Sequence, residues 1–298
     1  MKVGIAACSN GHNKDREPQI KDIADVLNTL GIESVLAEHI VEKVEVFSGS
    51  DEERAADLMR FYKDDSIDAI YDISGGDLAN GVLRYLDFDT IADSDKTFWG
   101  YSDLTTVINA IYAKTGKSSV LYQIKNLIGS EAELQQERFR AYLSGDHSKL
   151  FHISCRFLQG TRMEGVLIGG NARCFTKLAG TPFFPDVKGR LLLLEAYGGG
   201  CGQISTLFTQ LEQMGVFNQV AGVLLGTFTY YERTNPGLSV FDLLKMHIND
   251  NLPVAYTTEI GHGPDAKAVI IGAEMEFRLS DEEIFGDLRA KLKAKISV

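Results

Sequence analysis

The segment TFWGYSDLTTVINAIYAK places Ser102 where an apolar strand meets a helix. A hydroxyl at such a junction projects from the carboxyl edge of a sheet, and the unpaired N–H groups and positive end of the following helix can stabilise an oxyanion. The setting suits nucleophilic attack on a carbonyl. It suits helix capping equally, and capping is the commoner role for a serine at that place when the segment is taken alone. The elbow of α/β-hydrolases reads Gly-x-Ser-x-Gly; here Leu104 holds the second glycine position, so half of that motif is present.

A nucleophilic serine needs a base, normally histidine, and a carboxylate to orient it. The chain offers six histidines. His262 lies in TTEIGHGPDAKAVIIG, flanked by Gly261, Gly263 and Pro264 after a strand, a loop setting that suits a functional side chain. His12, in the first strand-to-helix loop, is its rival. His247, within VFDLLKMHIND, reads as structural, and His39, His147 and His152 have no supporting context. Glu195 ends the apolar run LLLLE, as an exposed strand-end charge or as a buried carboxylate needing a partner such as histidine. Two glycine-rich turns, ISGGDLANG with Gly75 and Gly76 and EAYGGGCGQIST with Gly198 to Gly202, read either as tight turns or as anion cradles. Nucleotide-binding signatures are incomplete: Gln203 and Ile204 follow Gly202 where Lys-Ser/Thr would stand, and Gln203 fills the last position of Gly-x-Gly-x-x-Gly.

The elements that would position these groups alternate. KVGIAA, ESVLAE, IDAIYDIS and KTFWGYS read as strands, and IKDIADVLNTLG, DEERAADLMRFYKD and DLTTVINAIYAKTG as helices. In IKDIADVLNTLG the apolar residues Ile20, Ile23, Val26, Leu27 and Leu30 keep helical spacing, with Gly31 as the stop. The pattern predicts an α/β fold: a parallel sheet with helices on both faces and ligands beyond the carboxyl ends of its strands. At 298 residues the chain predicts two domains of roughly 100 to 200 residues each. Periodicity weakens after Ser130, where EAELQQERFRAYLSGD reads as a surface helix, so the boundaries fall at 1–140, a junction at 141–159, and 160–298. The second part contains the strand GRLLLLEAY, the helix QISTLFTQLEQMG, strands at Ala221 to Gly226 and Ala268 to Ile271, and a closing helix from Asp281.

A net charge of -11 argues against a nucleic-acid binder, whose affinity rests on clustered Lys and Arg. Cys8, Cys155, Cys174 and Cys201 lack metal-ligand spacing and read as reduced thiols. The amino-terminal apolar stretch is too short for a secretory signal, and no segment approaches the ~20 apolar residues of a membrane span, so a cytoplasmic protein without membrane association is expected.

Six segments, SGGDLANGVLRYLDFDTI, KTFWGYSDLTTV, GVLIGGNARCFTKLAGTPFFPD, GRLLLLE, GVFNQVAGVLLGTF and EIGHG, occur in an order that resembles the LD-carboxypeptidase family of serine peptidases. That family includes muramoyltetrapeptide carboxypeptidases and microcin C self-immunity peptidases. The resemblance implies a flavodoxin-like amino-terminal domain carrying the nucleophile, and a carboxyl-terminal α/β domain with a barrel-like sheet. It also implies a triad of Ser102 as nucleophile, His262 as general base then acid, and Glu195 orienting His262. The oxyanion hole would be the backbone N–H groups of Asp103 and Gly76. It further implies a cytoplasmic homodimer that needs no metal or other cofactor and acts on a small peptide, a murein tetrapeptide or a peptide-nucleotide. Members commonly carry further acidic residues after the triad glutamate, whereas this chain reads EAYGGG. Which of Arg84, Lys125, Arg162, Arg173 and Arg233 would meet a substrate carboxylate is left open.

Overall fold

The computed structural model describes residues 1–235 and 237–279, and the backbone of Phe285–Asp287. The first part of the chain runs β1 (Lys2–Ala6), α1 (Pro18–Thr29), β2 (Glu33–Leu36), α2 (Asp51–Lys63), β3 (Ala69–Asp72), α3 (Ala79–Val82), α4 (Phe88–Asp93), β4 (Thr97–Gly100), α5 (Thr105–Thr115), β5 (Ser119–Leu121), α6 (Ala132–Leu143) and α7 (Ser148–Phe151). The second part runs β6 (Arg156–Gln159), β7 (Arg162–Asn171), α8 (Ala172–Thr176), β8 (Leu191–Ala196), α9 (Cys201–Gln213), β9 (Gly222–Phe228), α10 (Thr229–Thr234), α11 (Val240–Lys245), β10 (Val254–Tyr256), β11 (Val269–Ile271), β12 (Glu274–Arg278) and β13 (Phe285–Asp287).

Local signals account for the helices. The apolar stripe of α1 buries Ile20, Ile23 and Leu27, and Gly31 takes the left-handed φ of 78° that ends it. A capping box between Ser50 and Glu53 starts α2. The structure departs from the surface reading of α6, which buries Gln135, Phe139 and Tyr142 on one face. Phe139 packs on Trp99 and Tyr71, with ring centroids 5.8 and 6.2 Å away. Its spacing of four and three residues had been diluted by charged neighbours.

The first sheet has the order β2-β1-β3-β4-β5-β11 and is parallel from β2 to β5, the strand order of flavodoxin-like folds. The second has the order β13-β12-β7-β8-β9-β10-β6, parallel from β7 to β10 and antiparallel at its margins. It curls strongly into a half-barrel. The expected strand at Ala268 to Ile271 forms, but as β11 it lies antiparallel to β5 in the first sheet, so the chain returns to that sheet after His262. The closing helix expected from Asp281 falls outside the described residues, apart from Phe285–Asp287, which pair with β12. Among the described residues no helix is long and apolar enough to cross a membrane, and all four cysteines are free.

The two sheets meet where α5 lies against β7. Asn109 Oδ1 accepts from the Gly169 N–H at 2.8 Å, while its amide donates to the Gly169 carbonyl at 2.9 Å and to the Thr105 carbonyl at 2.8 Å. Thr105 Oγ1 accepts from the Asn171 N–H at 3.0 Å. This approach needs glycine at Gly170, where a Cβ would lie 2.7 Å from Thr105 Oγ1; Gly169 serves the second sheet itself, since a Cβ there would lie 2.2 Å from the Leu193 carbonyl oxygen of the neighbouring strand β8.

Replacing Asn109 by alanine strands a buried backbone N–H and carbonyl together. Asn109→Ala should lower the free energy of unfolding in urea by about 2–3 kcal/mol. A loss below about 0.5 kcal/mol would show that the docking does not depend on this amide.

Candidate functional site

After β4, Tyr101 is extended and Ser102 turns into the left-handed region at φ 56°. For a residue with a Cβ this conformation costs about 1–3 kcal/mol, so the surrounding structure must impose it. Gly100 makes room for the turn, since a Cβ there would lie 2.7 Å from that of Leu104. The capping role is corrected: Tyr101 precedes the short helical turn Ser102–Leu104, Leu104 precedes α5, and the Ser102 hydroxyl caps neither. It faces a histidine.

His262 Nε2 lies 3.2 Å from Ser102 Oγ, and His262 Nδ1 lies 2.8 Å from Glu195 Oε2. With its proton on Nδ1 donated to Glu195, the ring presents a lone pair at Nε2 to the serine hydroxyl. Glu195 is completely buried in β8, and its Oε1 accepts from Asn171 Nδ2 at 3.1 Å. It is therefore a paired buried carboxylate, not an exposed strand-end charge. The loop carrying His262 passes so close to β9 that a Cβ on Gly261 would stand 1.8 Å from Thr227 Oγ1. The imidazole is in contact with two tyrosine rings: Tyr101 edge-on at 4.9 Å and Tyr197 tilted at 5.1 Å. Burial first, then the charge of Glu195, push the Tyr101 hydroxyl well above its ordinary pKa, so it stays protonated beside that carboxylate. The arrangement can withdraw a proton from Ser102 and return it to a leaving group. A non-catalytic protein on this fold has no need for Ser102, Glu195 and His262 to converge, and here they do.

Asp103 points its carboxylate away from the reacting edge. Completely buried, it accepts from Ser9 Oγ at 2.6 Å, the Ala79 N–H at 2.8 Å and Lys177 Nζ at 2.5 Å. These bonds tie the turn of Ser102 to the turn containing Gly75 and Gly76. Gly76 has φ 124°, a Cβ there would lie 2.3 Å from the Asn10 amide carbon, and the residue lines the cavity beside Ser102. Behind them, Asp72 accepts from the N–H groups of Cys8 and Ser74 and from Ser74 Oγ. Burial raises the Asp72 pKa against the opposing pull of these hydrogen bonds. Sequence reasoning did not find this network, nor Tyr101 and Tyr197, although GYSD and EAYGGG contain both rings.

The site opens into a cavity of about 710 Å³ lined by Gly76, Asp77, Asn171, Arg173 and Tyr197 among others, with Ile204 and Leu207 as an apolar wall. Of the five cations left open by the sequence, Arg173 alone lines it. Arg84 lies 3.8 Å from Asp51, Arg162 pairs with Glu164 and Glu276, and Arg233 lies over the Tyr230 ring. Burial lowers the pKa of Lys125. The rival His12 bonds the Arg16 carbonyl at 2.7 Å, and His247 bonds Glu212 at 2.7 Å. In the Gly198 to Gly202 turn, the Gly200 N–H is already donated to Gln203 Oε1 at 3.0 Å. A cavity of about 600 Å³ near Lys96, Trp99 and His147 is lined by none of Ser102, Asp103, Gly76, Glu195 and His262. Among the described residues no group of three or more His, Cys, Asp or Glu could hold a metal ion.

Residues 3–122 match the family model described as the LD-carboxypeptidase N-terminal domain, and residues 164–277 match that of the LD-carboxypeptidase C-terminal domain. A probable murein peptide carboxypeptidase of Bacillus subtilis is 29% identical over 270 residues, covering 86% of this chain and 83% of the relative. MccF solved with glutamyl sulfamoyl guanosine superposes with a TM-score of 0.86 at 21% identity, covering 96% of this chain and 95% of that one. Muramoyltetrapeptide carboxypeptidase from Oxalobacter formigenes gives a TM-score of 0.81 at 22% identity, covering 96% and 98%. At such identities the two structures speak to the fold.

Asp103→Ala removes the anion that Lys177, Ser9 and Ala79 share. It should destabilise the protein by about 3 kcal/mol in urea unfolding, and adding Lys177→Met should recover part of that loss. Equal stability of the single variant and the native chain would mean that the network does not hold the turn.

Proposed function

Because the chain belongs to the LD-carboxypeptidase family of serine peptidases and is a peptidase, we propose that it hydrolyses the bond between an L-centre and a terminal D-alanine in murein tetrapeptides. The observation that carries this reading is the continuous path from Glu195 through His262 to Ser102, with separations of 2.8 and 3.2 Å, opening into a cavity.

Ser102 Oγ attacks the scissile carbonyl carbon while His262 Nε2 takes its proton. The negative charge on the carbonyl oxygen is met by the N–H groups of Asp103 and Gly76, and Glu195 stabilises the imidazolium. Collapse expels the amine of D-alanine, which receives the proton from His262. A water, deprotonated by the same ring, then cleaves the acyl ester and restores the serine. The residues complete this cycle without a metal or other cofactor. The family likeness supports a homodimer acting in the cytoplasm on peptides released during peptidoglycan recycling.

A second reading, a microcin-immunity-type peptidase that cleaves a peptide-nucleotide amide, draws support from Tyr197. Its ring is 64% exposed at the cavity, a surface on which a base could stack.

Incubation with a murein tetrapeptide, followed by mass spectrometry, should show loss of D-alanine. Ser102→Ala should reduce the rate by at least about 10⁴-fold and Glu195→Gln by about 10³- to 10⁴-fold. Release that persists in Ser102→Ala would overturn the nucleophile assignment. Turnover of an aminoacyl sulfamoyl adenosine, with the tetrapeptide untouched, would transfer the same triad to the second reading.

A further inference from the structure

We propose that Arg173 selects the substrate by binding the free carboxylate of the residue that leaves, a deepening that rests on the acyl-transfer reading above. Among the described residues Arg173 is the one lysine or arginine lining the cavity that contains Ser102. The neighbouring Lys177 is committed, donating to Asp103 Oδ1 at 2.5 Å and to the Asp77 carbonyl at 2.9 Å. Arg173 has no such buried partner. Its guanidinium donates to the carboxylate of Asp77, and through Nη2 to the Gly76 carbonyl at 3.0 Å.

The second of these bonds fixes where the cation stands. Gly76 is the residue whose N–H is assigned to the oxyanion, so the guanidinium sits at the other end of the same residue. In a peptide the terminal carboxylate is three bonds from the scissile carbonyl carbon, within about 4 Å. A substrate whose carbonyl oxygen meets the Gly76 N–H therefore brings its terminal carboxylate into the neighbourhood of Arg173. The planar fork of a guanidinium matches a carboxylate with two parallel N–H···O bonds, which an amide or ester cannot reproduce.

Asp77 shows that the position accepts a carboxylate, because it supplies one from the chain itself. Its side chain is 62% exposed and that of Arg173 51%, so their pair is a rim contact of small net worth. A substrate carboxylate replaces one anion with another on the guanidinium, and the displaced Asp77 carboxylate, already largely exposed, stays in solvent 3.9 Å from Lys177 Nζ. The apolar residues Ile204 and Leu207 on the cavity wall have nothing to offer a charged side chain. The chemistry selected is a peptide with an unblocked C-terminus on an uncharged residue.

The test uses one N-blocked peptide ending in D-alanine, prepared as the free acid and as the carboxamide, with steady-state kinetics on the full chain. The native protein should favour the acid. Arg173→Gln should lower kcat/KM on the acid by about 10- to 100-fold, chiefly through KM, and collapse the preference for acid over amide. Arg173→Lys should restore part of it, keeping the charge without the fork, and Asp77→Asn should lower KM for the acid by removing the competing anion. Calorimetric titration of Ser102→Ala with both peptides reads the same discrimination without turnover, and Arg173→Gln in that background should erase it. A preference that survives in Arg173→Gln overturns the assignment. Equal cleavage of acid and amide by the native chain also overturns it while leaving the acyl-transfer reading standing, whereas cleavage of neither removes that reading as well.

Discussion

Asn109 and Thr105 project from α5 and hydrogen-bond the backbone of β7, and the whole site depends on that register. Ser102 belongs to the first sheet's edge, Glu195 to the second sheet and His262 to the loop that leads from the second back to the first. No single element holds them together. An amide side chain that satisfies both the N–H and the C=O of Gly169 fixes α5 along β7 as firmly as a strand pairing would, because slippage would strand two buried polar groups. From Gly169 the consequences run in two residues: Asn171 pairs in register with Glu195 and donates to its carboxylate. One contact thus sets the distance between nucleophile and carboxylate, and the histidine bridges what remains.

The loops above the first sheet are held differently, by buried ions that are all satisfied. Arg54 is 1% exposed and donates to the carbonyls of Cys8 and Ser9, which begin the loop after β1. Ser9 passes its hydroxyl to Asp103, and Ser74 links the same serine's N–H to Asp72. A lone buried carboxylate would be neutralised or expelled; here Asp72 and Asp103 are converted into struts because each of their oxygens is occupied. The outcome is that the turns bearing Ser102 and Gly76 are tied to one another, not merely adjacent.

Much of this was legible in the chain and some was not, for physical reasons. Strand-turn-helix patterning marks Ser102 because the signal is local, within KTFWGYSDLTT. The roles expected of Glu195 and His262 came from ordered resemblance, since no local rule links residues 67 positions apart. The return of β11 to the first sheet left no trace in its apolar run, which would suit either sheet equally. Nothing within DLTTVINAIYAKTG sets Asn109 apart, because its partner is a glycine 60 positions away. Arg173 was one of five cations until the cavity distinguished it. The paired glycines of LIGGN both stand where a side chain would collide, Gly170 against Thr105 of α5 and Gly169 against Leu193 of the neighbouring strand.

The half-motif at the nucleophile has a physical explanation. In Gly-x-Ser-x-Gly turns both small residues relieve crowding as the chain reverses around a serine held in the left-handed region. Here the crowding falls on one pair, Gly100 and Leu104, whose Cβ atoms would stand 2.7 Å apart if both existed. Removing either Cβ is enough. With Gly100 giving way, Leu104 can be large, and it is completely buried, so its side chain contributes about 1.5–3 kcal/mol of apolar burial at the point where the backbone of Ser102 is strained by a similar amount. The residue that breaks the motif thus helps to hold the conformation that the motif exists to produce.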